Sequence, residues 1–318
     1  MQNWFALSDV PADCGSTVVT VGKFDGIHLG HQALLNAAVA AAKGSGSDGS
    51  ATAGSGAQSV CLTFDRHPDA LFAPDRLRLP IVGPTQKREY IAATGIDAVL
   101  EICFDEALAQ LTARQFVEQY LVGGLHAKHV VVGVDFRFGA GGAGNTQLLQ
   151  QLGEEFGFTV EVIAPVEVLG ERVSSSRIRE LLDTGDVSAA NAMLGRLHAT
   201  RGLVEHGLKL GRQLGFPTAN LSRDSEGFLP LDGVYAGWLH CDGERYPTAL
   251  SVGINETIQA VPRLLEAHVL DRKDLDLYDT VVTAEYVKFV RPAAKFSGLE
   301  ELIAAIGADC DEIRAILK

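Results

Sequence analysis

The sequence predicts two domains: a parallel α/β domain in residues 1–186, then a six-stranded antiparallel β-barrel with a C-terminal helix in residues 187–318. Three observations lead to this prediction. A chain of 318 residues exceeds the usual size of one hydrophobic core. The first half alternates β-branched runs with helix-length stretches, whereas the second half has short strand-like runs separated only by turns.

The first half has the pattern of βαβ units around a parallel sheet. Helices are expected at 32–43 and 85–94, and strands at 16–21, 60–64, 98–104, 129–134 and 159–163. Residues 44–58 are almost entirely Gly, Ser, Ala and Thr, and such a segment buries too little apolar surface to offset the entropy of ordering it. We interpret 44–58 as a flexible loop, with an active-site lid as the alternative.

The second half has six strand-like runs without helices between them, which favours a small antiparallel barrel. The runs are 199–205, 218–221, 233–240, 248–252, 263–271 and 281–287. A helix is expected to close the chain from Gly298 onward. Ser297 is its expected N-cap, and Glu300 stands three residues later, at the spacing of a capping box.

Composition limits the classes of function. The net charge of −13 argues against a nucleic-acid partner, because such proteins concentrate Lys and Arg on one face. The five cysteines are widely spaced and form no C-x-x-C pair, so neither a zinc site nor a disulfide framework is indicated. The sequence shows no signal peptide and no run of about 18 apolar residues. We therefore expect a cytoplasmic protein that does not enter a membrane and acts on small molecules; its oligomeric state has no sequence signal.

The most specific motif is the run 18–31, V-V-T-V-G-K-F-D-G-I-H-L-G-H, which passes from a strand through a Gly-rich turn into a helix. The unpaired N–H groups at a helix start, together with its dipole, favour a phosphate. His28 and His31 are three residues apart, so both imidazoles can face the same phosphate. Nucleotidyl transfer needs charge stabilised on the α-phosphate oxygens, and paired imidazoles can supply this.

Two further segments fit an anion site in the first half. Residues 174–179, S-S-S-R-I-R, should open a helix with hydroxyls at its cap and Arg in its first turn. Arg there opposes the helix dipole, which favours a bound anion. Residues 133–139, G-V-D-F-R-F-G, end a predicted strand, where open α/β sheets place their ligands.

These segments resemble the FMN adenylyltransferase module of bacterial bifunctional riboflavin kinase/FAD synthetases, distant relatives of the class I HIGH-type nucleotidyltransferases. The matching runs are 22–31, 63–68, 132–139 and 174–179. The resemblance implies a Rossmann-like nucleotidyltransferase domain that uses ATP and FMN and makes FAD. It implies catalytic roles for His28 and His31, and a nucleotide site that includes Gly22, Phe24, Gly30, Ser174, Ser175, Arg177 and Arg179. It places Phe64 and Phe138 near the flavin. It places Asp135, which is also assigned to flavin binding, near the reacting phosphates. Arg66 and Ser176 depart from the usual Pro and Thr.

The second half carries the run 211–221, G-R-Q-L-G-F-P-T-A-N-L, in which Thr218 and Asn220 are two residues apart. Alternate residues of an extended chain face the same side, so both side chains can reach one Mg²⁺ ion or its phosphates. The run resembles the riboflavin kinase signature, which implies that Gly211, Thr218 and Asn220 bind nucleotide, with Thr218 and Asn220 also at the metal. Glu266 matches the family's catalytic Glu, the base for the attacking hydroxyl.

Two departures fall in the kinase half: Asn255-Glu256-Thr257-Ile258 replaces an N-P-T-F-like stretch, and Asp279 replaces the Gly after Asp-Leu-Tyr. Because Thr218, Asn220 and Glu266 are present, we predict a bifunctional enzyme that makes FMN from riboflavin and FAD from FMN, with MgATP for each reaction. The alternatives are a monofunctional FAD synthetase with an inactive kinase barrel, and a non-catalytic flavin-binding regulator.

Overall fold

The computed structural model describes residues 1–44, 56–66, 79–206, 215–253, 263–272 and 274–318. Contacts divide the chain into two compact units. Residues 1–79 and 87–173 form the first, here called the α/β unit, and residues 80–86 and 174–318 form the second, here called the barrel unit. The functional boundary between residues 186 and 187 stays a prediction. Most of the 44–58 loop, residues 67–68, Gly211 and residues 255–258 lie outside the described residues.

The α/β unit is built on six parallel strands in the order β1-β4-β3-β2-β5-β6. The strands are β1 (Gln2–Trp4), β2 (Thr17–Val21), β3 (Gln58–Phe64), β4 (Ala98–Ile102), β5 (Ala127–Gly133) and β6 (Thr159–Ile163). The predicted parallel sheet is confirmed. Strand β1 escaped prediction, because three residues are too few to show an alternating pattern.

Helices lie on both faces of this sheet. They are α1 (Leu29–Ala42), α2 (Pro84–Ala92), α3 (Glu106–Gln110), α4 (Ala113–Phe116), which continues as the π-helix Val117–Gly124, and α5 (Thr146–Phe156). Leu35 of α1 packs in the cluster that contains Val18, whereas Phe116 and Leu149 pack in the cluster that contains Val19. Successive strand residues point to opposite faces, so this division produces the layered packing of a doubly wound domain.

The barrel unit is a closed barrel of six antiparallel strands in the order β10-β13-β12-β11-β14-β9, as predicted. The strands are β9 (His198–Glu205), β10 (Ala219–Leu221), β11 (Gly233–Cys241), β12 (Glu244–Gly253), β13 (Leu264–Val269) and β14 (Val281–Pro292). The helices of this unit are α6 (Ser175–Asp183), α7 (Val187–Leu194) and α8 (Leu299–Ile316). A short hairpin, β7 (Glu167–Val168) and β8 (Glu171–Arg172), belongs to the α/β unit. No helix in the described ranges is both long and apolar enough to span a membrane.

A buried polar cluster lies beside β9 and β14. The Tyr286 and Thr200 hydroxyls are 3.0 Å apart, and the Tyr286 ring stacks on His198. His198 donates its Nε2 hydrogen to the Phe228 carbonyl at 2.6 Å, and Asn191 bonds the backbones of both Tyr286 and His198. Burial lowers the pKa of His198 to about 4, so this histidine is neutral near pH 7.

The predicted cap of the C-terminal helix is wrong by one residue. The helix begins at Leu299, and its N-cap is Gly298, which has no side chain to bond the first turn. The third helical residue is therefore Glu301, not Glu300. The Glu301 carboxylate accepts hydrogen bonds from both the backbone N–H and the hydroxyl of Ser297, at 2.9 and 2.7 Å.

Candidate active sites

The loop after β2 is a strained turn. Phe24, Gly26 and Ile27 have φ angles of 48°, 85° and 41°, in the left-handed region that non-glycine residues rarely occupy. The side chains of Phe24 and Ile27 are completely buried, so core packing holds this backbone conformation. A Cβ at Gly22 would lie 3.1 Å from the Phe24 ring, so the absence of a side chain permits the close turn.

The turn brings the two histidines together at the start of α1. His28 is the N-cap of the helix, and its Nδ1 accepts a hydrogen bond from the His31 N–H at 3.2 Å. The two imidazole rings stack with centroids 3.6 Å apart, and Phe24 packs edge-on against His31. A Cβ at Gly30 would lie 3.2 Å from the His28 ring. Because Nδ1 accepts, a neutral His28 ring carries its hydrogen on Nε2.

The strand order reverses next to this turn. Strands β3 and β4 lie on one side of β2, and β5 and β6 lie on the other, so the winding direction reverses between β2 and β5. Ligands of open α/β sheets bind at such a reversal, outside the carboxyl ends of the strands. His28 follows β2, while Asp135 and Phe138 follow β5. Asp135 is exposed and forms an ion pair with Arg172, whereas Phe138 is buried against Phe116.

Phe64, the third flavin candidate, is the last residue of β3 and lies half-buried, edge-on to Phe104 at 5.4 Å. Beside it is a buried ionic group that the sequence did not reveal. The Lys87 ammonium donates to the Phe64 carbonyl at 2.9 Å and lies 3.9 Å from Glu101. Arg88 bonds the other Glu101 oxygen at 3.1 Å. In a polar helical stretch, Lys87 resembles an ordinary solvated residue, so no pattern distinguished it.

The Ser/Arg segment forms the predicted helix start, within the barrel unit. Ser174 is the N-cap of α6, and its hydroxyl accepts from the Arg177 N–H at 3.2 Å. Arg179 is buried and donates to the Ser175 carbonyl at 3.4 Å, while Arg177 is partly exposed and lies 3.4 Å from Glu180.

The candidate kinase residues meet through the register of two strands. Ala219 and Leu221 of β10 are buried, so the intervening Asn220 and the preceding Thr218 face the opposite side. Asn220 lies directly opposite Glu266 on β13. Directly opposed residues of antiparallel strands have Cβ atoms about 5 Å apart, so the amide and the carboxylate lie side by side.

Two residues that the sequence did not single out adjoin this pair. Glu205, the last residue of β9, lies opposite Asn220 on its other side. His268 is two residues after Glu266 on β13 and therefore shares its face; its Nδ1 is 2.8 Å from the Pro217 carbonyl. That contact ties the segment before Thr218 to β13. Only the strand pairing reveals these neighbours, because they are distant in sequence.

The Asp279 departure fits the backbone at its position. Asp279 has a φ of 58°, the left-handed conformation that Gly adopts at no cost and that Asp tolerates better than most residues. Its N–H donates to the Val204 carbonyl at 3.0 Å, and its carboxylate lies 3.5 Å from His206, which stacks on Tyr278. Glu256 lies outside the described residues.

A doubly wound sheet with paired imidazoles at its switch point, and a barrel with an amide and a carboxylate side by side, define a class of two-site phosphate-transfer enzyme. Residues 10–177 match the family model for FAD synthetase, and residues 194–317 match the one for riboflavin kinase. The chain belongs to the family of bifunctional riboflavin kinase/FMN adenylyltransferases.

Curated relatives match nearly the whole chain. The bifunctional riboflavin kinase/FMN adenylyltransferase of Pseudomonas fluorescens is 37% identical over 304 residues, covering 94% of this chain and 92% of that protein. The protein of that name from Escherichia coli strain K12 is 36% identical, covering 95% and 93% of the two chains. A crystal structure described as a macrolide-efflux protein from Streptococcus pneumoniae is similar at a TM-score of 0.85 and 30% identity, covering 98% of each chain.

Proposed function

We propose that this chain phosphorylates riboflavin to FMN in its barrel and adenylylates FMN to FAD at the switch point of its parallel sheet. Each reaction consumes one ATP; the first releases ADP and the second releases pyrophosphate. One observation carries the proposal. The chain matches both family models, and each half holds its own reactive group. The α/β half has stacked imidazoles, and the barrel half has an amide beside a carboxylate.

In adenylyl transfer, a phosphate oxygen of FMN attacks the α-phosphorus of ATP, and the bond to pyrophosphate breaks. Negative charge grows on the α-phosphate oxygens, where donors held in place are most effective. The Nε2 hydrogen of His28, the His31 ring and the first N–H groups of α1 supply such donors. We assign nucleotide binding to Gly22, Phe24, Gly30, Ser174, Ser175, Arg177 and Arg179. Because the Phe24 side chain is fully buried, Phe24 contributes to nucleotide binding through its backbone or through its contact with His31.

We assign the flavin of FMN to Phe64 and Phe138, with Asp135 near the reacting phosphates. Phe64 is half-buried at the carboxyl end of β3, and so retains surface for a flat ring. Phe138 packs against Phe136 and Phe116 and is almost fully buried, so it forms the base of such a site rather than its wall.

In the kinase reaction, the Glu266 carboxylate accepts the proton of the terminal ribityl hydroxyl, whose oxygen attacks the γ-phosphorus of ATP as the bond to ADP breaks. The Thr218 hydroxyl and the Asn220 amide oxygen are hard oxygen donors on one face, the kind of ligand that Mg²⁺ prefers. When bound, Mg²⁺ neutralises charge on the phosphates. Gly211, assigned to the phosphate loop, remains a sequence prediction.

We further propose that the enzyme works in the cytoplasm, where ATP is available and thiols stay reduced. All five cysteines are free thiols in the structure. The acidic net charge of −13 suits small-molecule substrates better than nucleic acid.

Time-resolved chromatography of flavins, with riboflavin and MgATP as substrates, tests the proposal. We expect FMN to appear first and FAD to follow. His31→Ala should lower FAD formation at least about 100-fold and spare FMN formation, because it removes one imidazole from the adenylyl site alone. Glu266→Ala should do the reverse, with FMN supplied for the adenylyl step. The activity that each variant retains is its folding control.

Loss of both activities in either folded variant would contradict the assignment of separate sites. Conversion of FMN to FAD without conversion of riboflavin by the unmodified chain would instead identify a monofunctional FAD synthetase.

A further inference from the structure

The carboxyl end of β3 extends beyond its neighbour β2. The last residue of β2, Val21, pairs with Leu62, and the Gly22 N–H still donates to the Leu62 carbonyl at 3.1 Å. Strand β3 continues two residues further, to Phe64. Carbonyls two residues apart point to the same side of a strand. The Phe64 carbonyl therefore points toward the side of β3 on which β2 lies, at a level where β2 has already ended.

Lys87 of α2 supplies the missing donor. Its ammonium donates to the Phe64 carbonyl at 2.9 Å, and its side chain is only 11% exposed. A backbone N–H, a hydroxyl or a water molecule satisfies a carbonyl more cheaply than a buried ammonium does. The use of a lysine here therefore suggests a role beyond satisfying one hydrogen bond.

Charges around Lys87 partly offset the cost of its burial, and its pKa stays below the usual value because desolvation is the larger effect. Burial lowers its pKa, whereas the carboxylates of Glu101, Asp25 and Asp65 favour the charged form. Glu101 is itself buried, and Arg88 bonds its second oxygen. The ammonium is therefore fixed in place from two directions, by Glu101 and by the Phe64 carbonyl.

The Phe64 carbonyl, held by Lys87, influences the direction of the Phe64 side chain, which lies on the sheet face opposite α1. Val60 and Leu62 belong to one core cluster, against which Phe64 packs, and Cys61 belongs to the cluster that contains α1. A peptide plane fixed at its carbonyl restricts the ψ angle of the residue that bears it. The Lys87 bond therefore restricts the direction in which the Phe64 ring leaves the end of β3.

We propose that Lys87 is a positioning residue for FMN: by holding the Phe64 carbonyl, it orients the Phe64 ring against which the flavin packs. This inference rests on the proposed assignment of Phe64 to the flavin.

The test compares Lys87→Met, which keeps length and apolar volume but removes the donor, with Arg88→Met on the same helix. Arg88 shares Glu101 with Lys87 and has no hydrogen bond to Phe64. We expect Lys87→Met to raise the Kd of FMN, from quenching of flavin fluorescence, and the KM for FMN on the order of tenfold. The KM for ATP and the kinase activity should stay within about twofold, as should every constant of Arg88→Met. A merely structural role would instead lower thermal stability without separating the two KM values.

A double-mutant cycle with Phe64→Ala separates this inference from the proposed function. If Lys87 acts through Phe64, Lys87→Met should have little further effect on FMN binding once the ring is gone. Full additivity of the two effects on FMN binding would overturn the inference. Unchanged FMN binding by Lys87→Met, together with weakened FMN binding by Phe64→Ala, would also overturn it. A neutral Phe64→Ala would instead remove Phe64 from the proposed flavin site, and the inference with it. If Lys87→Met fails to fold, Lys87→Leu, whose side chain likewise has no donor, takes its place in the same cycle, with the same outcomes.

Discussion

His28 combines two roles in one side chain. Its Nδ1 caps α1 by accepting from the His31 N–H, and the opposite ring nitrogen remains the donor proposed for the ATP phosphate. The cap fixes the tautomer, so the structural role prepares the chemical one. Sequence spacing predicted a pair of imidazoles at a helix start, but it did not predict that one of them would serve as the cap, because His is not among the preferred N-cap residues.

Asn separates the two roles, since it caps helices well but has no imidazole. We expect His28→Asn to keep the melting temperature of the unmodified protein and to lower FAD formation at least about 100-fold. His28→Ala should lose the same activity and also about 1 kcal/mol of stability. Calorimetry and the flavin assay measure the two effects independently. Normal FAD formation by His28→Asn would show that the imidazole acts only as a cap.

Residue types with distinctive chemistry were predictable from the sequence, and residues with ordinary chemistry were not. The motif around His28 and His31 is recognisable from its spacing alone. Lys87 is not, because its importance comes from burial against Phe64 and Glu101, which only the folded strands create. The sequence showed that Asp279 departs from the family's usual Gly, but only the structure shows that its left-handed backbone, with a φ of 58°, fits that position.

At the scale of elements, strand register builds the kinase site. Asn220 and Glu266 lie on strands that are distant in sequence, and a slip of one residue would turn one of them to the opposite face. Alternation predicted six strands and their approximate limits. It could not predict which strands pair or in what register, since pairing depends on closure of the whole barrel.

Helix α8 is attached to the barrel by both apolar and ionic contacts. Cys310 and Ile313 pack in a cluster with Ala236, and Arg291 donates two hydrogen bonds to Asp309, at 2.8 and 2.7 Å. Asp309 is buried, so its carboxylate depends on Arg291 for compensation.

We expect Asp309→Ala to destabilise the barrel by about 3 kcal/mol, because it leaves the Arg291 guanidinium partly buried without its partner. Asp311→Ala is the matched control: this aspartate is on the same helix and pairs with Arg314, but its side chain is 82% exposed. Its loss should cost less than about 1 kcal/mol. Urea unfolding followed by Trp238 fluorescence, in a Trp4→Phe background, reports on the barrel alone. Equal urea midpoints for the two variants would show that the Arg291 pair does not hold α8.

At the scale of the whole molecule, the compact units and the family models divide the chain differently. The FAD synthetase match extends to residue 177, whereas contacts group α6 with the barrel from residue 174 onward. Composition and texture predicted two domains correctly. They could not show where α6 packs, because an amphipathic pattern indicates only that one face of a helix is buried, and not which surface covers that face.

The buried face of α6 depends on barrel residues. Ile178 and Leu182 have no exposed surface, and the Leu231 N–H donates to the Leu182 carbonyl at 2.8 Å. A Cβ at Gly185, just after the helix, would lie 3.3 Å from both the Leu231 and the Phe289 side chains. A helix of nine residues is marginal in water without such packing. A fragment that ends at residue 186 therefore keeps the α6 sequence but loses part of what stabilises it.

We expect fragment 1–186 to keep its parallel sheet while the amides of residues 175–183 exchange as fast as those of an unfolded segment. Because Ser174, Ser175, Arg177 and Arg179 are assigned to nucleotide binding, its KM for ATP in FAD formation should rise at least about tenfold over that of the full chain. Hydrogen exchange resolved by segment, with β2 and β5 as the internal control, measures the first effect, and steady-state kinetics measure the second. Protected α6 amides with an unchanged KM would show that the helix folds with the sheet. Fast exchange with an unchanged KM would show that the Ser/Arg segment does not bind ATP.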